Sequence, residues 1–131
     1  MIEVVCAVVC KRGRYFVCQR PPNKAQALLW EFPGGKLETD ESPEEALSRE
    51  LHEELHWQVN IEQALPPVEW TYEDGKTIRL RPFLCSCLPG VGPQLKEHVQ
   101  QAWVSLAELH SLDLCPADRP ILESLAANSG R

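Results

Sequence analysis

The 131-residue sequence has no apolar run long enough to span a bilayer. Its most apolar stretch opens the chain as MIEVVCAVVC and meets Lys11, Arg12 and Arg14 after about eight apolar residues, where a transmembrane helix needs about 20. The basic start of a signal peptide is missing too. These absences predict a cytoplasmic protein that meets no membrane. Basic residues are scarce: 13 Lys and Arg face 19 Asp and Glu, a formal net charge of −6. That balance speaks against a nucleic-acid polymer as partner, because polymer binding draws on cations that neutralise phosphates. A small anion that brings its own metal ions stays compatible. Repeats and low-complexity tracts are absent, and the length leaves no room for a second domain, so residues 1–131 are expected to form a single domain.

Zinc-knuckle spacing is also missing. The six cysteines (6, 10, 18, 85, 87 and 115) are spaced C-x3-C and C-x-C, without the C-x2-C pairs of structural zinc sites. Cys6, Cys10, Cys85 and Cys87 alternate on strand-like runs, where a free thiol is small apolar filler. Zinc and redox roles are the alternatives. With 44% apolar and 24% charged residues, the rest of the composition is that of an ordinary globular chain.

What is present is organised. Ile2 to Val9 is a β-branched run expected to be a strand buried on both faces, joined by a turn around Gly13 to a partner strand Tyr15 to Gln19. After a loop, Leu29 to Phe32 is a short extended segment ended by a turn at Pro33-Gly34-Gly35, two glycines permitting a path that a side chain would block. Ser42-Pro43-Glu44-Glu45 carries an N-cap, a proline at the first helical position and a capping box. Leu47, Leu51 and Leu55 continue it as one stripe to about His56. Val68 to Tyr72 and Thr77 to Cys87 form a hairpin through Asp74-Gly75, expected as a two-residue turn. Ala102 to Leu106 is expected as a strand and Pro120 to Ala127 as a closing helix. Together these predict an α/β sandwich, a mixed sheet covered by helices on both faces.

Nine acids crowd residues 31–54 with only Lys36 and Arg49 among them, a field that attracts divalent cations. Within it Glu50, Glu53 and Glu54 lie at i, i+3 and i+4 on the central helix, within an arc of about 100°. A solvated acidic face is the ordinary explanation. The sharper one is a set of hard oxygen ligands for a small divalent cation that also binds substrate phosphates.

The wider register favours the second. Gly35, Glu41 and Arg49-Glu50-Leu51-His52-Glu53-Glu54 resemble the Nudix box, G-x5-E-x7-R-E-U-x-E-E-x-G-U, in which U is a bulky aliphatic residue. The match departs at His56, where the family has glycine, and at Trp57, where it has an aliphatic residue. A left-handed helix cap is implied at His56, at a cost of around 1 kcal/mol in stability. Gln19-Arg20-Pro21, Leu29-Trp30-Glu31, Phe32-Pro33-Gly34-Gly35-Lys36 and Leu114 to Pro120 extend the likeness over almost the whole chain. They are similar to the MutT branch, and most similar to bacterial CTP pyrophosphohydrolases.

The resemblance implies a Nudix-type α/β/α sandwich that hydrolyses a small-molecule nucleoside triphosphate with Mg²⁺, Mn²⁺ being able to substitute. It implies Gly34 (through its carbonyl), Glu50, Glu53, Glu54 and a late-loop acid, Glu97, as the metal and catalytic set. Glu97 is otherwise a solvated loop acid. Glu50 is the candidate base, or the residue orienting it. Gly35, Glu41 and Arg49 are structural, the guanidinium bridging Glu41 or Glu50. Arg20 is the expected phosphate contact. Asp118 stands where 8-oxo-dGTP members use asparagine, and an ionised Asp accepts only, which suits an exocyclic amino group. Capping of the last helix is its alternative role. Trp30 and Phe32 fall on one face of an extended segment and are candidates to stack on a base, or simple packing.

CTP, dCTP or a modified pyrimidine nucleotide is the expected substrate. A sanitising hydrolase for 8-oxo-dGTP or 2-hydroxy-dATP is the alternative, and a non-catalytic nucleotide-sensing domain is the alternative of another class. Sensing domains tend to lose box glutamates, and all are kept here. Tyr72 is only a weak echo of a dinucleotide-hydrolase marker. Either a monomer or a homodimer is compatible with the sequence.

Overall fold

The computed structural model describes residues 1–96 and 98–129, with side chains through residue 127. Strand β1 (Ile2–Lys11) lies at its centre. It pairs antiparallel with β2 (Arg14–Gln19) and, on its other side, parallel with the eleven-residue β7 (Thr77–Cys87). The sheet order is β3-β2-β1-β7-β5, with β3 at Trp30–Glu31 and β5 at Val59–Ala64. Beyond that path β4 (Gly34–Lys36) pairs β1, β6 (Val68–Thr71) pairs β7, and β8 (Gln100–Val104) pairs β2.

Alternation along β1 builds two cores. Val5, Ala7 and Val9 pack with Phe16, Leu47, Leu51, Leu55 and Trp57 beneath helix α1 (Pro43–Leu55). Cys6 and Val8 face the other way, with Val17, Phe32, Leu109, Ile121 and Leu125 under α2 (Leu106–Ser111) and α3 (Ile121–Ser129). Helices on both faces of one mixed sheet make the expected α/β/α sandwich. Among the described residues no helix is long and apolar enough to cross a membrane. All six cysteines are free thiols, with Cys6, Cys18, Cys85 and Cys115 buried.

Local sequence explains the joints. Arg12 and Gly13 take φ of 53° and 75° between the paired Lys11 and Arg14, the left-handed pair that matches strand twist in a two-residue hairpin. Ser42 caps α1: its hydroxyl accepts from Glu45 N at 3.1 Å, and Glu45 answers through Ser42 N at 2.9 Å. His56 closes the helix at φ 49°, ψ 44°, donating its N–H to His52 O. The family's aliphatic position is filled by Trp57, 1% exposed and edge-on to Phe16 at 4.9 Å.

Four expectations need correction. The strand Gln100–Val104 ends before Leu106, which begins α2, because Ser105 and Glu108 form a second capping box. Gly34 and Gly35 belong to strand β4 and not to a turn; they are glycine because a Cβ on Gly34 would strike Val5 O and one on Gly35 the Glu50 carboxylate. The β6–β7 connection holds Glu73, Asp74 and Gly75 inside a Tyr72 N to Lys76 O bond, one residue more than a two-residue turn, with Gly75 at φ 89°. The closing helix starts at Ile121 after a 3-10 turn at Pro116–Asp118.

Candidate functional site

The buried stripe Leu47, Leu51 and Leu55 fixes the rotation of α1, so its acids point along the sheet's edge toward β4 and the loop after β2. Glu50 and Glu54 are 15% and 14% exposed, whereas Glu53 is 56% exposed. The missing side chain of Gly35 lets the Glu50 carboxylate sit against β4.

Arg49 is the fastener. Its Nε and Nη2 grip Glu41 at 2.6 and 2.9 Å, while Nη1 donates to Glu50 at 3.0 Å and to Glu53 at 3.2 Å. Nη2 also reaches Lys36 O at 3.0 Å, tying the helix to β4. The guanidinium therefore spans both Glu41 and Glu50. Those hydrogen bonds, with the Glu38 N–H, hold the Glu41 carboxyl down at about 2. In turn Glu41, first, and Glu50 push the Arg49 pKa up.

Two hollows with lining residues in common lie beside β4. The smaller, about 110 Å³, is lined by Arg20, Pro21, Lys24, Glu31, Gly34, Glu54 and His98. The larger, about 250 Å³, shares Arg20, Glu31 and Gly34 and runs to Phe32, Tyr72, Cys115 and Asp118. A wider groove of about 690 Å³ between residues 63–70 and α3 contains none of the expected site residues.

In the small hollow Arg20 Nε donates to Ala25 O at 2.7 Å and Nη1 to Glu31 Oε1 at 3.0 Å. Among the described residues these two bonds engage two of its five N–H groups. Burial works against the Arg20 charge, and the Glu31 carboxylate more than offsets it. The other Glu31 oxygen, Oε2, lies 2.8 Å from His98 Nε2. Gly34 and Glu54 face the same space with oxygen donors, the chemistry a hard divalent cation needs. Among the described residues no three His, Cys, Asp or Glu side chains form a ready-made metal cage. An ion of the magnesium kind fits such a partial set, because it keeps waters and completes its shell with phosphate oxygens. Glu97 lies outside the described residues.

Asp118 ends the larger cleft and is 7% exposed. Its Oδ2 accepts from Phe32 N at 2.9 Å, so it pins β3's exit. Burial first, and the Glu31 charge second, raise its pKa to about 8 against the pull of Phe32 N–H and Arg20. A pKa near 8 favours the protonated carboxyl at neutral pH. Phe32 lines the cleft but is 2% exposed within the core. Trp30 packs on the same core, its N–H bonded to Asp113 O and its carbonyl to Cys115 N, and does not line either hollow.

Glu31 and His98 are the site residues that sequence reasoning did not single out. Strand alternation held the signal for Glu31: with Trp30 and Phe32 turned to one face, the residue between them must face the other. His98 gave none beyond its place next to Glu97. Tyr72 proves to line the cleft that ends at Asp118.

The chain matches the family described as NUDIX domain over residues 4–124. It is 39% identical over 127 residues to a CTP pyrophosphohydrolase of Escherichia coli (strain K12), covering 97% of this chain and 93% of the relative. An 8-oxo-dGTP diphosphatase of the same organism is 34% identical over 115 residues, 88% of each chain. Among solved structures, the solution structure of the E. coli ORF135 protein superposes with a TM-score of 0.83 at 38% identity, covering 97% of this chain and 89% of that one.

Proposed function

The chain belongs to the Nudix family of hydrolases, and we propose that it is a Mg²⁺-dependent nucleoside triphosphate pyrophosphohydrolase, converting NTP and water to NMP and diphosphate. CTP, dCTP or a modified pyrimidine nucleotide is the substrate we assign. The observation that carries this reading is the shared wall of the two hollows. Arg20, Glu31 and Gly34 border both, so a molecule with phosphates beside Glu54 directs its base toward Asp118.

Nudix hydrolases act on small nucleotides and generally use divalent metal ions, and here Gly34 O, Glu53, Glu54 and Glu97 would hold Mg²⁺. When bound, the ion supplies charge neutralisation on the phosphate oxygens and a more acidic water. The protein's residues do the rest. Arg20 binds phosphate through the N–H groups that Ala25 and Glu31 leave over. Glu50 accepts the proton of the attacking water, or orients the group that does. As water oxygen bonds to phosphorus, the bridging P–O bond breaks and diphosphate and NMP separate. Arg49, gripping Glu41 and Glu50, keeps the helix acids in register with β4, the in-line positioning the step requires. Residues 1–131 act as one catalytic domain in the cytoplasm, as a monomer or homodimer.

One observation favours a second reading, the sanitation of oxidised nucleotides such as 8-oxo-dGTP. A protonated Asp118 is donor and acceptor at once, as is the asparagine at the matching position in 8-oxo-dGTP members. Steady-state kcat/KM across natural and oxidised NTPs, read as diphosphate release with Mg²⁺ and again with EDTA, tests both. We expect CTP or dCTP to lead and EDTA to abolish turnover. Absence of turnover on every nucleotide would refute the enzyme reading, and a lead for 8-oxo-dGTP would replace the substrate.

A further inference from the structure

His98 has no part in the mechanism above, yet its side chain is 5% exposed and sits in the wall of the phosphate hollow. Its Nε2 faces two carboxylates, Glu31 Oε2 at 2.8 Å and Glu54 Oε1 at 4.0 Å. A nitrogen so placed donates to a carboxylate. Among the described residues Nδ1 is enclosed without a hydrogen-bond partner. An orphaned buried polar atom costs stability. An apolar residue of similar volume would avoid that cost, so the imidazole is kept there for what Nε2 does.

Glu31 explains what that is. With Oε2 held by His98 and Oε1 by Arg20, the carboxylate is fixed from both sides. Val99 N donates to Gln19 O at 3.1 Å, which anchors the His98 segment to the end of β2 one residue before Arg20. A chain of groups thus runs from the helix acid Glu54 through His98 and Glu31 to Arg20.

We infer that His98 is a positioning residue for phosphate binding, acting through Glu31 to aim the Arg20 guanidinium at the phosphate chain. This rests on the assignment of Arg20 as phosphate contact made above. Without the Nε2 donor, Glu31 is free to turn, and Arg20 loses the fixed partner that orders its remaining N–H groups. A long flexible side chain must then be ordered at the moment of binding, which weakens phosphate affinity.

The experiment is a double-mutant cycle read with inorganic tripolyphosphate and Mg²⁺, by titration calorimetry on the full chain, so that no base contact enters. His98→Leu keeps apolar volume and removes the donor, and should weaken binding about tenfold. His98→Gln can place an N–H where Nε2 was, and should return the affinity to within about threefold of wild type. In an Arg20→Ala background His98→Leu should add less than about twofold, since the residue acts only through the guanidinium. A merely structural role would weaken both backgrounds equally and would not be rescued by Gln. Either of those results, or wild-type affinity in His98→Leu, overturns the inference. If His98→Leu does not fold, Glu31→Gln takes its place in the cycle with the same expectations. Intact coupling in a protein that hydrolyses no nucleotide would overturn the proposed reaction and leave this inference standing. A wild type that fails to bind tripolyphosphate overturns the inference along with the Arg20 assignment.

Discussion

Replacing Asp118 by Asn tests whether the group that closes the larger cleft meets the base as an acid or as an anion. In the native protein the carboxyl is buried, faces Glu31, and is raised to about 8 from an ordinary 3.8, opposed by Phe32 N–H and by Arg20. The nearby thiols Cys6 and Cys115 are themselves raised, by burial first, and stay neutral. Because the folded state binds this proton more tightly than the unfolded one, the stability it confers is complete below about pH 4 and is lost as pH rises through about 8. The slope in between is at most about 1.4 kcal/mol per pH unit. Asn keeps the acceptor for Phe32 N and cannot ionise. Denaturant midpoints for the two proteins should therefore lie closest near pH 4, separate as pH rises to about 8 and keep that gap above it, with the Asn variant the more stable. Selectivity should follow the same titration. Below pH 7 wild type presents a donor and an acceptor, much as Asn does, and the two proteins should have similar kcat/KM ratios for CTP over 8-oxo-dGTP. Above pH 8 the carboxylate accepts only, and the wild-type ratio should rise by about 5-fold to 150-fold, the worth of one discriminating hydrogen bond, while the variant stays flat. Parallel stability curves and parallel ratio profiles across pH 6 to 9 would refute the buried-proton argument.

Glu53→Gln and Glu54→Gln each remove a negative oxygen donor at constant shape and should lower turnover by at least about 10³, roughly 4 kcal/mol of transition-state stabilisation, with circular dichroism unchanged; activity within threefold of wild type for both would refute the metal assignment. Arg49→Lys cannot grip Glu41 with two nitrogens while reaching Glu50 and Lys36 O, so kcat should fall at least about tenfold in a folded protein, measured beside tripolyphosphate affinity, which should change far less. Since Glu41 is held at about 2 instead of 4.5, that clamp's contribution is whole above about pH 4.5 and lost only as pH falls toward 2, and acid titration of the native fold should lose this phase in Glu41→Gln.

Elements that state their own boundaries were legible in the sequence. Helix α1 announces its start with Ser42 and Glu45 and its buried face with three leucines, and β1 is a long β-branched run. The box at Ser105 and Glu108 that opens α2 falls inside the run Ala102 to Leu106 expected as strand. Strand β5 offered little: only Val59 and Ile61 of its six residues are turned inward, and it is held by pairing with β7, which local pattern does not encode. The site divides the same way. Carboxylates one helical turn apart are placed by the helix itself, so Glu50, Glu53 and Glu54 could be named together. Glu31 and His98 stand 67 residues apart and meet only because β2 pairs both β3 and β8, a contact that no spacing rule contains.

His56 is where sequence and structure agree on a position that costs stability, and so it gives the cleanest test of local reasoning. The backbone sits at φ 49°, ψ 44°, where a side chain is strained by roughly 1 kcal/mol and glycine is not. Its N–H caps the helix by donating to His52 O at 3.0 Å, a bond glycine keeps. The imidazole adds one tilted contact with the exposed His52 ring at 4.9 Å, worth little in water. Against the relief of strain stands glycine's greater freedom in the unfolded chain, which recovers part of the gain. His56→Gly should therefore raise stability by about 0.5 kcal/mol, seen as a higher urea midpoint at constant slope. Activity should not move, because the helix acids lie upstream of the cap. A lower midpoint would mean that the His52–His56 contact outweighs the left-handed strain, and that the departure from glycine at this position stabilises the helix end instead of straining it.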